Sequence, residues 1–172
     1  MLKLAGAVMI ICASVGIGYS KSRELTLRER NLEAFLQVLL CLKGEIRCGN
    51  SSLPDALRDT AYRCPKAYEA FLSGIACCME SGTEENLSII FQDCTEKYLK
   101  NLVLDKEEKR KISLLGERLG YLDRKMQLRQ LELYENDFQY LLCTLQKDKE
   151  GKKKLYRSLG VMGGIMLAVL FW

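Results

Sequence analysis

Any chemistry in this chain has to come from cysteines and carboxylates, because its 172 residues include no histidine. That absence removes Ser-His-Asp and Cys-His triads, histidine-ligated metals and histidine general bases. Eight cysteines remain. Cys41 and Cys48 are separated by six residues, Cys77 and Cys78 are adjacent, and no C-x-x-C occurs. Adjacent cysteines cannot easily both ligate one tetrahedral metal. Most of the cysteines therefore read as small core residues in a reducing compartment. A thiol sensor at Cys77–Cys78 is the functional alternative.

The paired acids Glu84-Glu85 and Glu107-Glu108 stand at expected helix starts, where acids complement the helix dipole. Their functional alternative is metal ligation or carboxylate catalysis. No glycine-rich phosphate loop, G-x-S-x-G or H-E-x-x-H is present. The reading assigns no catalytic, metal or cofactor-binding residue, so the expectation is a non-enzyme without a cofactor.

One stretch is less generic, Leu115 to Gln127. Gln127 continues the apolar stripe Leu131–Tyr134–Phe138 backwards by four, which places an amide in line with core positions. Such an amide needs a buried partner or an exposed groove, and Asp123, one turn earlier, is the expected acceptor. The bland reading is a helix corner, with Gly120 as stop, Asp123 as cap and Gln127 as lock. The functional reading is a contact surface at that corner. Charge reversal at the neighbours Arg124 and Lys125 is then expected to weaken partner binding without unfolding.

The elements that would position this stretch are helices. Two prolines against 13 glycines argue for long helices and against an all-β fold. From Leu25 to Arg47, Leu32, Phe35, Leu39, Leu42 and Ile46 repeat at three and four. Gly49-Asn50-Ser51 ends that helix. Ser52, with Asp55 three residues on, starts a short one to about Arg63. Cys64-Pro65 breaks the chain, and Pro65 starts a helix to about Glu80 with Tyr68, Phe71, Leu72, Ile75 and Met79 inward. Thr83 is expected to cap the next, with Leu87, Ile90, Phe91, Cys94, Tyr98 and Leu102 inward. Asp105 and Glu108 form a capping box ahead of Ile112, Leu115 and Leu119, with Gly120 as the C′ residue. Asp123 caps the last helix, which carries Leu131, Tyr134, Phe138, Leu141 and Leu145 and meets no breaker but Gly151. The predicted fold is all-α, a compact cytoplasmic bundle of about six helices over residues 21–157.

Membrane helices are expected at both ends, 1–20 and 158–172. Leu4 to Ser20 and Ser158 to Trp172 carry no charge, although both are short for a hydrocarbon core of ~30 Å. A cleaved signal peptide is the alternative for the first, and a buried core helix for the second. Ser14 and Gly18, and Gly160, Gly163 and Gly164, give small-residue spacings that let membrane helices pack closely; simple abundance of glycine in such helices explains them equally well.

Residues 21–30 hold four basic and two acidic residues, 147–157 hold six and two, and 31–146 hold 15 and 18. The formal charge of +4 is thus a juxtamembrane collar, suited to anionic lipid, and not a nucleic-acid face. The same collar puts the middle domain in the cytoplasm and both termini on the opposite side.

At this point the chain resembles the stage III sporulation protein AB family over nearly its whole length. The residues that carry the resemblance are Met1-Leu2-Lys3-Leu4 with Gly6 and Gly18; Gly49 with Ser52-Leu53-Pro54-Asp55-Ala56-Leu57; Leu119-Gly120 with Asp123, Arg124 and Gln127; and Arg157-Ser158-Leu159-Gly160-Val161 with Gly163 and Gly164. The departure lies at Leu122, Lys125 and Met126, where the family usually has a small polar residue and acids.

The resemblance implies a non-enzymatic platform, similar to the inner-membrane platform proteins of type II secretion and type IV pilus systems. Its implied place is the mother-cell membrane around the forespore, within a channel complex. The implied partners are a secretion-type ATPase of the same operon, other membrane subunits of that complex and membrane lipid, with no nucleic acid or small-molecule substrate. Gly49, Leu53, Ala56, Leu57, Leu119, Gly120, Asp123, Arg124 and Gln127 are the candidates for the partner surface or its structural corners. The rival readings are a membrane-bound cysteine or carboxylate enzyme, and a thiol- or lipid-responsive adaptor without an ATPase partner.

Overall fold

The computed structural model describes residues 2–48, 52–81, 86–120 and 123–170, with side chains described within 19–148 of those stretches and at 151, 158 and 162. Among the described residues there are six helices and no strand: α1 (Leu2–Cys48), α2 (Leu53–Arg63), α3 (Lys66–Glu80), α4 (Leu87–Tyr98), α5 (Lys106–Leu119) and α6 (Arg124–Leu170). The all-α expectation and the helix number hold. Both long helices contribute to two compact units, one of Arg30–Leu142 and one of Met1–Glu29 with Cys143–Trp172.

In the unit Arg30–Leu142 most expected stripe residues form the core, while Met79, Tyr98, Leu102, Tyr134 and Leu141 are only half-buried. Leu32, Phe35, Leu39, Leu42 and Ile46 of α1 are buried, as are Tyr68, Phe71, Leu72 and Ile75 of α3 and Ile112, Leu115 and Leu119 of α5. An aromatic chain joins four helices. Phe35 of α1 lies 4.7 Å from Phe138 of α6 and 5.5 Å from Tyr68 of α3, and Phe71 of α3 meets Phe91 of α4 edge-on at 5.9 Å, measured between ring centres. Such pairs contribute ~0.5–1.5 kcal/mol each beyond their buried area. The buried Tyr68 hydroxyl donates to the Asn31 carbonyl at 3.0 Å, and the Asn31 amide donates to the Val103 carbonyl at 3.1 Å. One polar thread therefore ties α1, α3 and the α4–α5 connection, and it satisfies groups that burial would otherwise penalise. Burial is also what pushes the Tyr68 phenol above its ordinary pKa.

Helix starts follow the caps, with two differences. Asp105 and Glu108 form the expected capping box. At α2, Ser52 caps without a side-chain bond to the backbone, because its hydroxyl donates to the Asp55 carboxylate instead. α4 begins at Leu87 under Asn86, whose side chain accepts from the Ser88 amide at 3.3 Å; the expected cap Thr83 lies outside the described residues.

Glycines let the helices close on one another. A Cβ at Gly116 would sit 2.6 Å from the Phe91 ring, and one at Gly74 2.6 Å from the Tyr98 ring. Gly120 differs from expectation. As a C′ residue it would need a left-handed backbone, but it is right-handed at φ −70° and ψ −29°. Its lack of a side chain instead admits α4, since a Cβ there would lie 3.1 Å from the Leu87 Cβ.

In the other unit, Lys21 pairs with Glu24 at 2.8 Å along α1, and α6 continues through Gly151 to Leu170 as a single helix. Among the described residues no helix is long and apolar enough to cross a membrane. The two expected membrane segments, with Ser14, Gly18, Gly160, Gly163 and Gly164, lie outside the residues whose side chains are described, apart from Tyr19, Ser20, Ser158 and Met162.

Candidate functional site

Three helix ends meet at one corner of the unit Arg30–Leu142, and the motif around residues 119–127 supplies the groups that tie them. The last carbonyls of a helix have no partner inside it. At the end of α5, the half-buried Gln127 amide donates to the Leu119 carbonyl at 3.0 Å. At the end of α1, the Arg124 guanidinium donates to the Ile46 carbonyl at 2.7 Å and also to the Arg47 carbonyl. A cation there complements the negative end of the helix dipole. At the start of α6, the Asp123 carboxylate accepts from the Met126 amide at 3.2 Å.

These partners differ from the expected ones. Gln127 reaches the Leu119 carbonyl and not the Asp123 side chain, since Asp123 is turned onto the first amides of its own helix. Arg124 was expected to be a freely exposed charge. It is exposed as a residue, yet its guanidinium is committed to α1, so reversing it would disturb the fold itself. Lys125 and Met126, next along α6, are exposed.

Below the corner α1 and α6 run antiparallel. Lys43 pairs with Glu135, and Arg47 with Glu132 at 3.6 Å. The first of these ion pairs is mostly shielded from solvent and the second is exposed, so the second contributes little.

The second candidate stretch lies at the start of α2. Ala56 and Leu57 are buried and Leu53 is half-buried, while Gly49 lies outside the described residues. Thr60 donates to the Ala56 carbonyl at 2.7 Å, which satisfies its buried hydroxyl inside the helix. Ala56 and Leu57 are thus core positions that set α2 on its neighbours. Ion pairs hold α2 at both sides: Arg63 on Glu45 of α1 at 2.7 Å, and Arg58 on Glu80 of α3.

Sequence spacing gave no sign of which cysteines meet. Cys77 is exposed, whereas Cys78 and the buried Cys94 face each other across α3 and α4. Cys41 of α1 and Cys64 at the end of α2 are also close enough for Cys41 to act on the Cys64 thiol. Burial first, and then the neighbouring thiol, pushes Cys64 up to about 12 and Cys94 up to about 11. Among the described residues no three histidine, cysteine or acidic side chains gather as a metal site. The acids Glu84 and Glu85 lie outside the described residues. Glu107 pairs with Arg110 at 2.9 Å, and Glu108 is the buried half of a helix cap.

The chain is 25% identical over 170 residues to stage III sporulation protein AB of Bacillus subtilis (strain 168), covering 99% of each. No solved structure matches it. The family model for stage III sporulation protein AB matches residues 3–172, and the chain, whose Leu119–Gln127 motif locks three helix ends together, belongs to that family.

Proposed function

We propose that this protein is a non-enzymatic platform subunit of a secretion-like channel used in sporulation, and that it couples a cytoplasmic ATPase to the membrane complex. Membership of a stage III sporulation family supports the setting. The uncharged stretches at both chain ends and the basic collars beside them support anchorage in the mother-cell membrane around the forespore, with the helical unit on the side where ATP is found.

The observation that carries the reading is the corner. Gln127, Arg124 and Asp123 spend their polar groups on fixing helix ends, which leaves a rigid frame presenting Lys125 and Met126 to solvent. Lys125 stands in the first turn of α6, where the helix dipole disfavours a cation. An acidic surface on a partner would offset that local cost. The partner of this reading is the secretion-type ATPase of the same operon, with the other membrane subunits and lipid around the anchors.

The test is complex formation between the full chain in detergent micelles and that ATPase, measured by light scattering after size exclusion, with and without nucleotide. A defined complex that Lys125→Glu weakens at least tenfold, with unfolding temperature unchanged or slightly raised, is the expected result. No complex at high micromolar concentration would overturn the motor coupling.

A further inference from the structure

Cys64 closes α2 just before Pro65, and two contacts set this end of α2 against α1. The thiol donates to the Gln37 carbonyl of α1 at 4.0 Å. The neighbouring Arg63 pairs with Glu45 of α1 at 2.7 Å. Gln37, Cys41 and Glu45 recur every fourth residue, so they stack on one face of α1. The two contacts therefore bracket Cys41 from one turn below and one turn above, and both thiols are half-buried. This pair is distinct from Cys77–Cys78, the alternative thiol site considered from spacing.

We propose that Cys41 and Cys64 form an oxidation site, a thiol pair that a two-electron oxidant of the hydroperoxide class converts to a disulfide stapling the end of α2 to α1. Cys41 loses its proton, its thiolate attacks the peroxide oxygen, the O–O bond breaks, and a sulfenic acid forms on Cys41 while the departing hydroxide or alkoxide takes up that proton and leaves as water or an alcohol. The Cys64 sulfur then attacks that sulfur. The S–S bond forms, the S–O bond breaks, and the departing hydroxide leaves as water with the Cys64 proton. Two thiols are oxidised and one peroxide is reduced. The two thiols can exchange these roles, since either order gives the same disulfide. In a reducing compartment the pair stays open, and it closes under peroxide load.

The disulfide would close a covalent loop that contains Gly49 to Leu57. Oxidation would thereby fasten that candidate surface to α1 at both ends. This inference is independent of any ATPase partner.

The test treats the full chain in detergent micelles with hydrogen peroxide, blocks the remaining thiols by alkylation, and digests with trypsin. The expected product is a cross-linked pair of peptides, Asn31–Lys43 with Cys64–Lys66, lost on reduction and absent in Cys64→Ser. The thermal midpoint should rise by roughly 10 °C, as for a loop of about 20 residues closed without strain. Recovery of the two peptides unlinked, under conditions that oxidise the exposed Cys48 and Cys143, would overturn the proposal. So would a cross-link that appears only in urea, or an unchanged midpoint in the linked protein.

Discussion

Single side chains at the corner act by satisfying backbone groups, and that sets the size of their effects. Gln127→Leu would keep the volume but leave the Leu119 carbonyl without its donor, an expected loss of about 1 kcal/mol. Arg124→Ala would release two carbonyls at the end of α1; these are partly solvated, so the loss is again about 1 kcal/mol. Lys125→Ala should stay within ~0.5 kcal/mol. Thermal unfolding of the three variants orders them, and a Lys125 variant as damaging as the other two would contradict the geometry. Cys64 makes a different prediction. Its folded pKa, about 12, lies above the ordinary thiol value of 9.0, so its contribution is complete below pH 9 and fades as pH rises towards 12. Cys64→Ala should therefore lose less stability than the parent between pH 9 and 11, as read from unfolding midpoints.

Glycines separate two roles at the scale of the helix. Gly44 of α1 has nothing within 4 Å of where a Cβ would stand. Gly44→Ala therefore gains helix propensity and should stabilise by about 0.8–1 kcal/mol. Gly116→Ala gains the same propensity but drives a methyl to 2.6 Å from Phe91, a ring that is 1% exposed and cannot swing away. Overpacking of that kind costs ~1–3 kcal/mol, so the net change should be destabilising. Gly74 is intermediate, because the atom it would meet is the far end of the half-buried Tyr98 ring. Opposite signs for Gly44→Ala and Gly116→Ala in thermal unfolding are the check; equal signs would mean that α4 and α5 do not approach as closely as described.

For the whole molecule the prediction concerns topology. On the proposed membrane reading, charge would place the unit Arg30–Leu142 on the cytoplasmic side, with the collars at 21–30 and 147–157 beside the membrane. Cys48, Cys77 and Cys143 are exposed. With the chain expressed in non-sporulating cells, where it would sit in the outer cell membrane, all three should resist a membrane-impermeant maleimide, and all three should react once the membrane is permeabilised. Labelling of Cys48 or Cys143 in intact cells would reverse the orientation and, with it, the access of any cytoplasmic ATPase. Placement in a stage III sporulation family rests on the chain as a whole, since the match runs from residue 3 to 172. No short stretch of it carries the assignment.

Helix number, helix stripes and most helix starts were legible in the sequence, because each depends on residues three or four positions apart. Leu32 to Ile46 is a core stripe in any fold that buries that face, and Asp105 with Glu108 caps a helix wherever the helix sits. Where Gln127 and Arg124 send their donors was not legible. Their acceptors, the carbonyls of Leu119, Ile46 and Arg47, become reachable only when three helix ends are brought to one corner. Gly120 does end α5, but the need for glycine there comes from the approach of Leu87 from another helix rather than from its own backbone. Cys41 and Cys64 carry no shared signal along the chain, and packing of α2 on α1 alone made them neighbours. Sequence determined what is local and periodic, and the tertiary structure decided which side chains from distant positions meet, because that depends on how whole helices close on one another.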